Sequence, residues 1–281
     1  MQRVALDWLR QKEGRGEIPT SICFLFYELS HTGRVSKRAK RLDGGDSKRK
    51  PDQNLIDAVT RLREAGLVPW DWIVDESRQV HSWRFAAAVR DYLAESVGLA
   101  SIDRFPGVKR PVIVCESRGV AGVLSRGVAY DYLVTVAPTG GQCNGFLRTK
   151  VADYLRDENT RVLYVGDRDD AGDDIEANTR RVLERATGRT FTADTWERIM
   201  LTEARCAQLK RRGVRPVEKR DRRYRDGNPH KAFEVEALRQ RVVEQIVRDR
   251  LEELAPEPLA AVLEREERER EEARERLARW K

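Results

Sequence analysis

The chain is poor in the residues that build thiolate metal centres and disulfide frameworks. It has four cysteines (Cys23, Cys115, Cys143 and Cys206), far apart and with no C-x-x-C pair, and three histidines in 281 residues. That spacing argues against a zinc site and against a disulfide scaffold, and thiols so placed fit a reducing compartment. Long apolar runs are missing too. The longest, Ile22 to Tyr27, is far short of the ~20 residues a membrane-spanning helix needs. The opening residues MQRVALDWLRQKEG hold no apolar stretch followed by a small-residue cleavage site, so they do not read as a secretory signal. The expectation is a soluble, cytoplasmic protein.

Charge is abundant instead. Charged residues make up 36% of the chain, against roughly 25% in an average globular protein. The 40% hydrophobic share still supports real cores, and the length suits about two compact domains. The net charge of +7 is unevenly distributed. Residues 34–50 (RVSKRAKRLDGGDSKRK) carry +6 and residues 205–225 (RCAQLKRRGVRPVEKRDRRYR) carry +8, so the rest of the chain is acidic. Two such stretches favour a polyanion partner, because clustered Lys and Arg release condensed counterions from phosphates. That points to nucleic acid and to a nucleoid-associated location. From Glu264 onward the signs nearly cancel. Glu264–Arg268, Glu266–Arg270, Glu272–Arg276 and Glu275–Arg279 are i,i+4 pairs in the favourable order, which predicts an exposed helix held by local ion pairs.

Residues 1–12 and 20–32 read as helices, the second capped by Thr20 and closed by Gly33. The basic segment around Gly44-Gly45 reads as a loop. Asp52 then opens a helix with Leu55, Ile56, Val59 and Leu62 at helical spacing, ending at Gly66, and WDWIVD (70–75) alternates like a short strand. This order is that of a winged helix-turn-helix domain over residues 1–80, with the helix 52–65 facing DNA. A helix over 83–97 and a linker fill residues 81–110. Strands at 111–115, 132–137, 161–167 and 198–202 alternate with helices at 119–125 and 175–186, which predicts an α/β domain with a parallel sheet over 111–202. Residues 203–281 complete the chain with the second basic segment and C-terminal helices, one of them spanning 230–254.

Two strand ends carry acid. The first strand runs into Glu116, and the third ends in GDRDDAGDD, which sets Asp167 and Asp169 two residues apart on one side of an extended segment. Three carboxylates without His or Cys form a hard oxygen set suited to Mg²⁺ or Mn²⁺. An EF-hand loop starting at Asp167 fails, since its fifth position would be Ala171 and its twelfth Asn178. Strand-Glu followed by strand-DxDxxG resembles the Toprim domain of topoisomerases, bacterial primases and some nucleases. A winged helix ahead of it resembles the topoisomerase VI A subunit and the related meiotic double-strand-break protein family. No zinc-ribbon cysteines precede the domain, which weakens the primase reading.

The resemblance implies a metal held by Glu116, Asp167 and Asp169, with Glu116 doubling as the acid that protonates the 3′ oxygen. It implies a nucleophile at Tyr27, in SICFLFYELSHTG, forming a 5′-phosphotyrosyl link. It also implies a homodimer, since in that family the cooperating tyrosine and Toprim site come from different protomers, and a separate ATPase subunit for any strand passage. The arginines that usually precede the tyrosine are replaced here by Ser21, Ile22 and Cys23. Double-stranded DNA would be tracked by Arg34, Lys37, Arg38, Lys40, Arg41, Lys48, Arg49, Lys50 and Arg61, giving affinity without sequence readout. HKAFEVEAL (230–238) resembles the E-x-E-A-L helix that follows the Toprim domain in compact relatives; its Glu234 and Glu236 either touch the site or pair with Arg, and pairing is the expectation. Metal-dependent DNA cleavage is the leading reading. A Toprim nuclease using water, with Tyr27 structural, and a non-catalytic DNA-binding accessory protein are the alternatives.

Overall fold

The computed structural model describes residues 1–36, 40–41, 48–74, 86–140, 144–211, 217–219 and 230–279. Three helices open the chain: α1 (Gln2–Gly14), α2 (Ile22–His31) and α3 (Gln53–Glu64). The side chain of Ser21, one residue beyond the predicted cap Thr20, accepts the Phe24 N–H at 3.3 Å and starts α2. Gly33, at φ +72°, turns the chain out of it. Of the predicted stripe on α3, Leu55, Val59 and Leu62 are buried against Ala5 and Leu9 of α1 and Leu25, Phe26 and Leu29 of α2, whereas Ile56 is only partly buried and Ala58 is buried in its stead.

Two expectations in this region need correction. The basic segment is not loop throughout, since β1 (Lys40–Arg41) and β2 (Lys48–Arg49) pair antiparallel. This ribbon precedes α3. The 70–75 strand is a 3₁₀ turn at Trp70–Trp72 followed by one parallel bridge, Ile73 to Thr20. Thr20 exchanges backbone hydrogen bonds with Trp72 and Val74, and this fixes the chain entering α2. Asp75 lies outside the described residues.

After α4 (Val89–Val97) comes a sheet of β3 (Arg110–Cys115), β4 (Thr135–Pro138), β5 (Thr160–Val165) and β6 (Trp196–Arg198). Its order is β4-β3-β5-β6 and every pairing is parallel, so the α/β expectation holds. Alternate residues feed two cores. Ile113, Cys115, Leu163 and Val165 pack on one face with residues of α5 (Arg118–Arg126) and α6 (Val128–Asp131). Val112, Val114, Val162 and Tyr164 pack on the other. There they meet Leu147, Val151 and Leu155 from the turns after α7 (Asn144–Phe146), and Val182 and Leu183 of α8 (Asp170–Thr187). The second strand starts later than predicted because α6 and Leu133, at φ +54°, occupy the residues before it. The fourth starts earlier, at Trp196.

After α9 (Glu203–Arg211), β7 (Val217–Lys219) pairs antiparallel with β8 (His230–Ala232). The predicted helix over 230–254 is therefore broken. Phe233 pairs with Arg168 in an antiparallel bridge, Val235–Ala237 form a 3₁₀ turn, and only then does α10 (Gln240–Leu254) begin. The chain closes with α11 (Leu259–Ala278). Glu272–Arg276 and Glu275–Arg279 form the expected exposed pairs at 3.9 and 3.6 Å. Glu266 does more, because it is buried against Arg104 at 2.6 Å and accepts the Ile102 N–H at 2.8 Å. No helix among the described residues is long and apolar enough to cross a membrane.

Candidate active site

β3 is the branch point of the sheet. The chain leaves it through α5 and α6 to β4 on one side, while β5 lies on its other side and leads on through α8 to β6. Such a reversal opens a crevice at the carboxyl ends of the two central strands. Glu116 directly follows β3, and Asp167 comes two residues after β5. They meet: the Glu116 carboxylate accepts the backbone N–H of Asp167 at 3.1 Å, and the Glu116 N–H donates to the Val165 carbonyl at 2.8 Å. A cavity of about 250 Å³ opens here, lined by Cys115, Glu116, Ser117, Gly166, Asp167 and Glu236 among others.

Asp169 is placed differently. It is the N-cap of α8, accepting the Gly172 N–H at 2.7 Å, and it is not among the residues lining the cavity. The spacing of the DxDxxG segment follows from this cap. A Cβ on Gly172 would stand 2.4 Å from the Asp167 carbonyl oxygen, so only glycine lets the first turn of α8 pack against the end of β5. Arg168, between the two aspartates, faces away and bonds Asp173 and Glu203.

The carboxylates expected to pair with arginine instead build the site. The Val235 N–H donates to Asp167 at 2.8 Å, which brings the following Glu236 to the cavity, where its carboxylate accepts from the Ser117 hydroxyl. Burial, and then the nearby Asp167 charge, push the Glu236 carboxyl up to about 7. Glu234 accepts from the Tyr27 hydroxyl. The sequence carried a signal for this arrangement: Phe233 and Val235 are apolar and buried while Glu234 and Glu236 alternate with them, a strand-like period of two.

Tyr27 is half-buried on α2, whose packing explains its position. Leu25, Phe26 and Leu29 face the N-terminal core, while Phe24 on the opposite side enters the core of the α/β domain. The helix is thus wedged between two domains, with Tyr27 at their seam. Burial, then the hydrogen bond and charge of Glu234, then Glu236 and Asp167, push the phenol well above its ordinary range. Burial holds the Cys115 thiol well above the ordinary thiol range.

The donor chemistry fits a hard divalent cation: among the described residues the cavity's polar lining is Glu116, Asp167, Glu236, the Ser117 hydroxyl and the Cys115 thiol. Among the described residues no three His, Cys, Asp or Glu side chains stand at the spacing that would enclose one ion. Glu116 reaches Asp167 through the Asp167 backbone N–H, and Mg²⁺ ordinarily keeps several waters and takes one or two carboxylates plus substrate phosphate.

Of the residues expected to touch DNA, Arg34, Lys50 and Arg61 are exposed, Arg34 lying 5.9 Å from the Trp8 ring. Lys40, Arg41, Lys48 and Arg49 are the paired residues of the β1–β2 ribbon, in the register Lys40 to Arg49 and Arg41 to Lys48. Lys37 and Arg38 lie outside the described residues. The chain matches no protein-family model, no curated protein and no solved structure.

Proposed function

We propose that this protein cleaves double-stranded DNA by divalent-metal-dependent phosphoryl transfer, as a compact Toprim protein resembling the topoisomerase VI A subunit. One observation carries the reading: Glu116 and Asp167 meet at the carboxyl ends of adjacent parallel strands, where the sheet's connections diverge and an acidic cavity opens. Glu116 and Asp167 would hold Mg²⁺ or Mn²⁺, which would neutralise the scissile phosphate and the leaving 3′ oxygen, while Asp169 caps α8. The protein supplies the rest. The positive end of α8, capped by Asp169, favours a phosphate near the Asp167–Gly172 turn. The exposed Arg34, Lys50 and Arg61 and the β1–β2 ribbon hold the backbone of the duplex as a winged-helix-like module. Tyr27 is the nucleophile, and a homodimer would present one centre to each strand. In the alternative, water attacks and Tyr27 is structural.

Incubating the protein with supercoiled plasmid and Mg²⁺ or Mn²⁺, then stopping with detergent, tests this. Cut DNA carrying covalently bound protein, lost in Tyr27→Phe and in Asp167→Ala, is the expected result. Cutting that survives Tyr27→Phe but not Asp167→Ala moves the reading to the water nuclease. DNA binding without cutting under either metal refutes catalysis.

A further inference from the structure

We infer that Arg118 grips the phosphate diester presented to the carboxylate cavity, binding its non-bridging oxygens at the cavity mouth. The inference rests on the DNA-cleavage reading above and supplies it with the protein's own cation at the reacting phosphate. It is the same whether a tyrosine or water attacks, and whichever protomer brings the tyrosine.

Three observations place the guanidinium. Ser117 caps α5 by accepting the Val120 N–H at 3.3 Å, and Ser117 and Val120 both line the cavity. Arg118, the first residue of α5, therefore leaves the cavity wall at the positive end of a helix. Its side chain lies over Gly140, a lining residue that follows β4 and donates its N–H to the Glu116 carbonyl at 2.9 Å. A Cβ on Gly140 would stand 2.8 Å from the Arg118 Nε, 3.3 Å from its Nη2 and 3.4 Å from its Cζ, the three nearest atoms. Gly166, the lining glycine after β5, differs, since there the missing side chain makes room for the Tyr164 ring at 2.5 Å. Finally, Arg118 is exposed and has no ion-pair or hydrogen-bond partner among the described residues. Arg168 and Arg198, at the same edge of the sheet, are each held by carboxylates, Arg168 by Asp173 and Glu203 and Arg198 by Asp173 and Glu176.

Charge gives this arginine its task. The carboxylates of the cavity's lining are Glu116, Asp167 and Glu236. A divalent ion between Glu116 and Asp167 is balanced by those two charges, so an entering phosphate needs a further positive group. A guanidinium suits this because its planar fork matches two phosphate oxygens and it stays charged beside carboxylates. It would draw the phosphate toward the cavity and stabilise the charge that gathers on the non-bridging oxygens during the reaction.

Two measurements test this on Arg118→Ala and Arg118→Lys, both expected to melt with the wild type because the side chain is exposed. The first needs no cutting. A nicked duplex with a 5′-phosphate at the nick is compared with its 5′-hydroxyl counterpart by fluorescence anisotropy in Ca²⁺. The wild type is expected to bind the phosphorylated nick about tenfold more tightly, as one charged hydrogen-bonded contact provides, and Arg118→Ala to lose that difference. An equal preference in Arg118→Ala overturns the assignment. The second is the rate of plasmid cleavage at saturating protein with Mg²⁺ or Mn²⁺. Arg118→Ala is expected to cut about 10²- to 10³-fold more slowly with affinity for intact duplex little changed, and Arg118→Lys to fall between. Millimolar guanidinium is expected to restore part of the alanine variant's rate without speeding the wild type, and a slowed variant that it does not rescue overturns the phosphate contact. Cutting by Arg118→Ala at the wild-type rate overturns the assignment and leaves DNA cleavage standing. A 5′-phosphate preference that Arg118→Ala loses, in a wild type that cuts nothing, refutes the cleavage reading and keeps the arginine as a phosphate contact. A wild type that neither cuts nor prefers the phosphate refutes both.

Discussion

Replacing Gly172 with alanine sets two effects of opposite sign against each other. Gly172 lies in the first turn of α8, and in a helix alanine is ordinarily favoured over glycine by roughly 0.5–1 kcal/mol. Here the added Cβ would stand 2.4 Å from the Asp167 carbonyl oxygen, 3.0 Å from its carbon and 3.3 Å from the Asp169 carboxylate. Neither backbone atom can yield cheaply. The Asp167 carbonyl accepts from Arg198 at 2.9 Å, and the next residue, Arg168, is paired on both sides with Phe233. Relief must come from lifting α8 off the end of β5, which strains the 2.7 Å cap between Asp169 and the Gly172 N–H. Overpacking of this kind costs about 1–3 kcal/mol and a lost cap about 0.5–2. After the helix gain, the expected net loss is about 2–3 kcal/mol, a fall in Tm of roughly 3–5 °C for a chain of this size. Urea denaturation followed by circular dichroism measures it. Gly98→Ala is the control, because that residue sits at φ −64° with nothing nearer to its would-be Cβ than the Glu95 carbonyl at 3.9 Å. It is expected to be neutral or to stabilise by up to about 1 kcal/mol. If Gly172→Ala is as stable as the wild type, the steric account of the DxDxxG glycine is wrong.

The remaining expectations concern buried charge. The folded-state value of Glu236, about 7, lies above its ordinary 4.5, so its ionisation opposes folding. The penalty is absent below about 4.5, grows as pH rises and is complete above 7. Glu236→Gln should therefore match the wild type in urea at pH 4.5 and exceed it at pH 8 by up to about 3 kcal/mol; equal stability at pH 8 would contradict the burial argument. Lys12 is fully buried between Glu28 at 2.8 Å and Glu17 at 3.2 Å, and Glu28 also accepts from the Trp8 indole at 2.8 Å. Lys12→Met should cost about 3–5 kcal/mol by stranding a buried carboxylate, and adding Glu28→Gln should recover much of it. Glu266→Ala should cost a similar amount, since the Arg104 guanidinium stays buried without its partner. Thermal denaturation compared with the exposed Glu272→Ala separates that role from surface pairing, and equal small losses would refute it.

How much of this was legible in the sequence depends on whether the signal was local. Val112 to Cys115 and Val162 to Val165 are apolar runs buried on both faces, and their acidic ends, Glu116 and Asp167, were readable because a strand's end follows from its own composition. The stripe of α3 was readable for the same reason. The Trp70–Asp75 alternation misled because a 3₁₀ turn puts Trp70 at the surface, 58% exposed, while Trp72 packs partly buried against the N-terminal core. Residues 233–237 were misread as helix despite their short period-two alternation, because the partner that fixes them, Arg168, lies 65 residues away. That misreading left Glu234 and Glu236 out of the site, and apolar spacing alone did not reveal Asp169 as a helix cap. The cap it forms on α8 depends on where the helix begins, which is five residues before the start predicted from apolar spacing.

The same bridge accounts for a property of the site that neither half of the chain explains alone. Arg168 and Phe233 exchange two backbone hydrogen bonds, so the DxDxxG turn and the FEVEAL segment are one rigid unit. Asp167 and Glu236 are then held close although both are acidic, and the Glu236 carboxyl is raised by its burial first and then by this repulsion. Such repulsion is unfavourable in the absence of a cation, and the fold bears it through the bridge, the Val235 N–H on Asp167 and the Ser117 hydroxyl on Glu236. A structure that needed only stability could relieve it with a single amide. That the chain instead fixes two like charges across one small cavity, with a phenol at its rim, is the physical ground for reading the site as one built to receive a cation and a phosphate together.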